Sequence, residues 1–210
     1  MADFETISDN VISGNVEEVK ELTQEAIDEG AEPNEIIDNG LIGGMTVVGQ
    51  RFKDGDMFVP QVMMAAKAMK AGVELVNPLL TEGETSSKGT VILGTVSGDL
   101  HDIGKNLVGM MMESASLDVI DLGVDIDPEE FVEAVKEHEP DVLGMSALLT
   151  TTMLEMQNTI ELLEEEGVRD SVSIIVGGAP VTPDFADEID ADGWSPDAAS
   201  AKDLALDLIG

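Results

Sequence analysis

From residue 90 onward the chain alternates short apolar runs rich in β-branched residues with amphipathic stretches of helical period, five times over. "TVILGTV" at 90–96 precedes "NLVGMMMESA", and "DVIDLG" at 118–123 precedes "DPEEFVEAVKEH", where Asp127 is placed to cap and Pro128 to begin a helix. "DVLGMS" at 141–146 precedes "TTMLEMQNTIELLEEEG", and "VSIIVGG" at 172–178 precedes a shorter helix near 181–189. A last weak strand, "DGWS" at 192–195, leads into "PDAASAKDLALDLI". Continuous apolar strands separated by helices have few solutions. Both faces of each strand need cover, and each crossover must return the chain in the same direction. The expectation is a doubly wound, five-stranded parallel sheet of flavodoxin-like type, in the order 2-1-3-4-5.

The first part of the chain has a different texture. Residues 1–84 show helical periodicity and no convincing strand. In "NVEEVKELTQEAIDEG", Val16, Val19, Leu22 and Ile27 fall at helical spacing between a cap candidate at Asn15 and a stop at Gly30. Two further segments begin beside prolines, at Pro33 and Pro60, where a missing N–H costs a helix nothing. With a short helix near 3–13, this predicts a small four-helix bundle. The polar stretch "TEGETSSKG" at 81–89 then marks the boundary, giving a bundle over 1–84, a linker over 85–89 and an α/β domain over 90–210.

Composition removes several classes of function. No run approaches the 18 or so uncharged apolar residues that a membrane helix needs, and "MADFETISDN" has neither the basic nor the apolar region of a signal peptide. Cysteine is absent, so disulfides, thiolate metal sites and thiol catalysis are absent with it. These features fit a cytoplasmic protein. A formal net charge of −34 makes nucleic acid and anionic membranes poor partners, because both are bound through cationic surface. The acidity fits a high-salt cytoplasm, where screening relieves self-repulsion, and equally an ordinary acidic protein.

The unusual residues gather at the carboxyl ends of the expected strands, the edge where open α/β sheets bind ligands. "SGDLHDIGKN" follows the first strand, "SALLT" the third, "GGAP" the fourth and "SPDA" the fifth. The first loop is no phosphate loop: five residues separate Gly98 from Gly104, Asn106 stands where a hydroxyl is needed, and Asp99 and Asp102 repel phosphate. A receiver domain shares the strand order but ends its third strand on aspartate, and this chain has Ser146 there. No G-x-S-x-G elbow occurs. His101 remains as a metal ligand, with Asp99 placed to accept the proton of its other ring nitrogen. No second histidine or cysteine is placed to complete a cage, and His138 in "EHEP" reads as a helix-end surface residue. One histidine among glycines suits a metal already enclosed in a macrocycle.

These residues resemble a known family. "GDLHDIGKN" is similar to the D-x-H-x-x-G signature of corrinoid-binding domains related to the cobalamin module of methionine synthase. Gly104 and Ser146 enclose 41 residues, and Leu148 and Gly177 enclose 28, as the S-x-L and G-G elements of that family do. The resemblance implies cobalamin or a related corrinoid as cofactor, with His101 as the axial cobalt ligand in place of the cofactor's own base. It implies a binding loop of Gly98, Asp99, His101, Asp102, Ile103 and Gly104. A buried nucleotide tail would lie beside Ser146, Leu148 and the Gly177–Gly178 pair, with Ser146 and Thr150 available to hydrogen-bond its base or ribose. Residues 45–69 resemble the helical cap of such proteins, in which Phe52, Val59 and Val62 would lie on the methyl side of the cobalt; the same three residues also read as plain bundle core. Trp194 stands where relatives often carry tyrosine.

The resemblance covers the whole chain and leaves no catalytic barrel, so it implies a carrier that is non-catalytic alone. It is closest in kind to the corrinoid subunits of methylotrophic methyltransferase systems. A donor-specific methyltransferase would load a methyl group onto cobalt, giving the methylcobalamin form. A second methyltransferase would pass it to a thiol or tetrahydrofolate, and a reductive-activation protein would restore the cobalt. The alternative is the small subunit of a corrinoid-dependent isomerase, which shares D-x-H-x-x-G but fits the helical cap less well. A cobalamin-sensing regulator needs a basic DNA-binding helix pair, which the sequence lacks.

Overall fold

The computed structural model describes residues 3–80 and 87–210, and the chain divides into two compact units, 1–86 and 87–210. Residues 85 and 86 of the expected linker lie outside the described residues. Residues 87–89 belong to the second unit, where the Lys88 N–H donates to the Ser116 carbonyl.

The first unit is helical. Helix α1 (Phe4–Ser13) opens on Asp3, whose carboxylate accepts from the Thr6 N–H at 3.2 Å and the Thr6 hydroxyl at 2.7 Å. It ends at Gly14, and α2 (Val16–Asp28) follows. Asn15 precedes α2 but makes no side-chain cap; its amide instead donates to Asn10 Oδ1 at 3.0 Å. A continuous helical run comes next, made of α3 (Pro33–Glu35), a π-helical stretch (Ile36–Ile42) and α4 (Gly43–Lys53). Helix α5 (Val59–Val76) completes the unit, packed on α1, α2 and α4. Ile7, Val11, Val19, Leu41, Met45, Val62 and Met69 are buried.

The second unit holds β1 (Thr90–Val96), β2 (Asp118–Ile126), β3 (Val142–Ser146), β4 (Ser173–Gly177) and β5 (Gly193–Ser195) in one sheet. All neighbours are parallel and the order is β2-β1-β3-β4-β5, as the alternation predicts. Helices α6 (Ile103–Glu113), α7 (Pro128–His138), α8 (Leu154–Glu165), α9 (Pro183–Glu188) and α10 (Ala198–Ile209) cover it. The period of two sorts the strand residues between the faces. Val91, Leu93, Val142 and Ile175 pack with Met112 of α6 and with Ala201 and Ala205 of α10. Ile92, Leu143, Met145, Ile174 and Val176 pack with Phe131 of α7 and with Met156, Ile160 and Leu163 of α8. Burying a side chain such as Phe131 contributes roughly 1.5–3 kcal/mol. Among the described residues no helix is long and apolar enough to cross a membrane.

One strand departs from expectation. The sequence suggests that the second strand stops at Gly123, yet β2 continues to Ile126 through two register shifts against β1.

Candidate functional site

Strand β1 delivers the chain into a tight turn in which the Asp99 N–H donates to the Val96 carbonyl at 3.1 Å. Asp99 is completely buried, while the His101 side chain two residues on is 54% exposed. Asp99 Oδ1 accepts from the His101 main-chain N–H at 3.0 Å and lies 2.7 Å from His101 Nδ1. Asp99 Oδ2 accepts from the Leu148 N–H at 2.7 Å and the Leu149 N–H at 3.2 Å, across the gap from β3. Thr152 Oγ1 lies 3.1 Å from the same oxygen and 2.9 Å from the Leu149 carbonyl, and shares its one proton between them.

Burial pushes the Asp99 carboxyl up, but the Leu148 N–H, the His101 ring and main-chain N–H, and Thr152 together hold it far below the usual carboxylate range. An ionised Asp99 places the imidazole proton on Nδ1. The Nε2 lone pair is then free for a metal.

Beside this pair lies a cavity of about 530 Å³ on the α6 and α10 side of the sheet. Leu93, Val108, Ile175 and Ala201 make its apolar walls. Of the residues expected from sequence, His101, Asp102, Ile103 and Gly104 line it from the β1 loop; Ser146 and Leu148 line it from β3, and Gly177 and Gly178 from β4. Asp102 is exposed and accepts from the Asn106 amide at 3.1 Å. Gly98 and Asp99 stand behind the lining, Gly98 giving its N–H to Asp125 Oδ1 at 2.7 Å. Thr150 is exposed and lies outside the lining; the buried hydroxyl of "LLTTTM" is Thr152, two residues further on. Phe52, Val59 and Val62 belong to the first unit, the first two half-buried and Val62 fully buried. Trp194 is half-buried and donates from Nε1 to the Val181 carbonyl at 2.9 Å, tying β5 to the turn after β4. His138 is the exposed last residue of α7.

Two buried polar residues beside the pair escape the sequence reading. Thr152 is one of three consecutive threonines, and only the fold selects it. Lys105 is buried although charged, with Nζ 2.5 Å from both carboxylate oxygens of Asp121 and 2.8 Å from Asn106 Oδ1. Its place in "GKN", directly after the signature glycine, was the available signal.

The glycines distinguish what the fold requires from what a ligand requires. At Gly178, with φ of 129°, an added Cβ would fall 1.8 Å from the Ala147 carbonyl oxygen, so the close approach of the β3 and β4 ends accounts for that glycine. At Gly104, on the cavity rim, a Cβ would meet nothing within 4 Å. Nothing in the protein forbids a side chain there. A large group lying against the rim would.

Among the described residues no cluster of three histidine, aspartate, glutamate or cysteine side chains is placed to hold a metal ion. A lone carboxylate-backed histidine above an apolar slot is a donor set that fits a metal already enclosed in a macrocycle. The comparisons agree. Residues 89–202 match the model of the B12 binding domain, and residues 3–77 match a second B12 binding domain model. The dimethylamine corrinoid protein of Methanosarcina barkeri is 45% identical over 207 residues, covering 98% of this chain and 97% of its own. A corrinoid protein of Desulfitobacterium hafniense is 44% identical over 213 residues, covering 100% and 99%. The methanol:cobalamin methyltransferase complex of M. barkeri contains a chain that superposes with a TM-score of 0.86 at 35% identity, over 97% of this chain and 78% of that one. The chain belongs to the B12-binding family of corrinoid proteins.

Proposed function

We propose that this protein is the corrinoid carrier of a methylotrophic methyltransferase system. The observation that carries the reading is the Asp99–His101 pair beside the 530 Å³ cavity, because together they offer a nitrogen that could hold a metal and a slot that could take the cofactor's tail. The bound corrinoid supplies the chemistry, a cobalt centre able to accept and release a methyl group. The chain's own residues ligate and enclose it. His101 Nε2 would hold the metal of that group, and Asp99, holding the proton on Nδ1, would keep that nitrogen a lone-pair donor. Ser146 and Leu148 on one side of the cavity and Gly177 and Gly178 on the other would hold the tail, and Val108 and Ala201 would exclude water from it. Gly98, Asp102, Ile103 and Gly104 shape the loop that carries the ligand.

On this reading the donor and the acceptor are each handled by a separate methyltransferase. The complex containing the methanol-system relative supports such docking, and the dimethylamine relative supports a methylated amine as donor. A reductive-activation protein completes the set of partners. The test is reconstitution with hydroxocobalamin followed by gel filtration. One corrinoid per chain should co-elute with the protein, and a colourless protein peak contradicts the reading.

A further inference from the structure

The end of β2 does something a plain strand end does not. Against β1, Leu93 pairs with Asp121, Gly94 with Gly123 and Val96 with Ile126, so β2 carries one extra residue in each of two successive steps. Such bulges re-aim the groups beside them. At the second bulge Asp125 adopts a φ of 58°, in the left-handed region that side-chain-bearing residues enter at a cost, aspartate and asparagine most readily.

In that conformation a single residue grips two neighbours. The Asp125 main-chain N–H donates to the Asp99 carbonyl at 3.0 Å, and Asp125 Oδ1 accepts from the Gly98 N–H at 2.7 Å. Two residues on, Asp127 Oδ1 accepts from the Ser97 hydroxyl at 2.6 Å and makes no cap to α7. The first bulge serves the far end of the same segment. Asp121 Oδ1 takes the Gly123 N–H at 2.8 Å, and the carboxylate as a whole grips Lys105 at the start of α6. Residues 97–105 are thereby tied at both ends to β2 and the residue that follows it, and none of Asp121, Asp125 and Asp127 lines the cavity.

We infer that the bulged end of β2 is a positioning device for the cobalt ligand, with Asp125 as its positioning residue. Asp125 fixes the main chain at 98–99, the β3 loop fixes the Asp99 carboxylate, and the imidazole orientation follows from both. The inference rests on His101 ligation as proposed above.

Asp125→Gly takes the left-handed backbone freely but lacks the acceptor for the Gly98 N–H, and Asp125→Asn keeps an acceptor oxygen. Each is loaded with cob(II)alamin and compared with the wild type by electron paramagnetic resonance and by binding titration. The Gly variant should bind about ten-fold more weakly, the lower end of losses at supporting residues, and should lose the axial-nitrogen splitting from part of its signal. The Asn variant should restore both. Should the Gly variant fail to fold, Asp125→Ser, whose oxygen falls short of Gly98, is read the same way. Unchanged splitting and affinity in the Gly or Ser variant overturn the inference, as does an Asn variant as defective as they are. A wild-type protein without nitrogen splitting overturns His101 ligation itself, and this inference with it.

Discussion

At the scale of single residues the site turns on a buried charge. Among the described residues, Asp99 is held by main-chain N–H groups from two loops, by the Thr152 hydroxyl and by the half-exposed His101 ring. Asp99→Asn exchanges one acceptor oxygen for a donor facing donors. Corrinoid affinity should fall about 10–100-fold while His101 still ligates, as read by absorbance titration with hydroxocobalamin; unchanged affinity contradicts the role given to Asp99. Two glycine substitutions should separate fold from ligand. Gly104→Ala, early in α6 with open space around it, should leave the corrinoid-free protein as stable or up to about 1 kcal/mol more stable, yet weaken corrinoid binding. Gly178→Ala forces a clash with the Ala147 carbonyl and should lower thermal stability whether or not corrinoid is present. If both variants behave alike, the Gly104 rim is not a ligand surface.

At the scale of elements, much of the architecture is legible because local chemistry and global fold agree. "TVILGTV" and "VSIIVGG" are too apolar and too β-branched for anything but buried strands, and the prolines at 33, 60 and 128 all fall at helix starts. The end of β2 was not legible. In "GVDI" a glycine and an aspartate carry turn chemistry, and only pairing with β1 makes the stretch strand. The π-helical stretch at Ile36–Ile42 was hidden likewise, since one widened turn barely disturbs the spacing of apolar residues. The motif placed His101, Gly104 and Ser146, but the choice of Thr152 over Thr150 depends on how the β3 loop folds over Asp99. The α1 cap yields a pH dependence with a definite sign. The Thr6 hydroxyl and N–H hold Asp3 below its ordinary pKa, so the cap is fully present above the usual carboxylate range and fades as pH falls through the depressed value. Thermal melts should show Asp3→Ala less stable than wild type near neutrality and the gap closing in acid. A gap that widens in acid contradicts the cap.

At the scale of the whole molecule, a net charge of −34 over 210 residues sets the solution behaviour. Raising salt from about 0.1 M, where screening reaches ~10 Å, to about 1 M, where it reaches ~3 Å, should raise the melting temperature by relieving self-repulsion. A flat or falling melting temperature would show that surface repulsion is not a significant burden. Carrier function also predicts dependence on partners. The loaded chain alone should not demethylate dimethylamine, methanol or a methoxylated aromatic, and turnover should require a donor-specific methyltransferase. The central claim is that His101 is the single protein ligand to a corrinoid cobalt, and electron paramagnetic resonance of the cobalt(II) form tests it most directly. One axial nitrogen should split each cobalt line into three in the wild type, and the splitting should vanish in His101→Ala while the corrinoid remains bound through its tail. If the splitting survives in His101→Ala, another nitrogen holds the cobalt and the account of this loop is wrong.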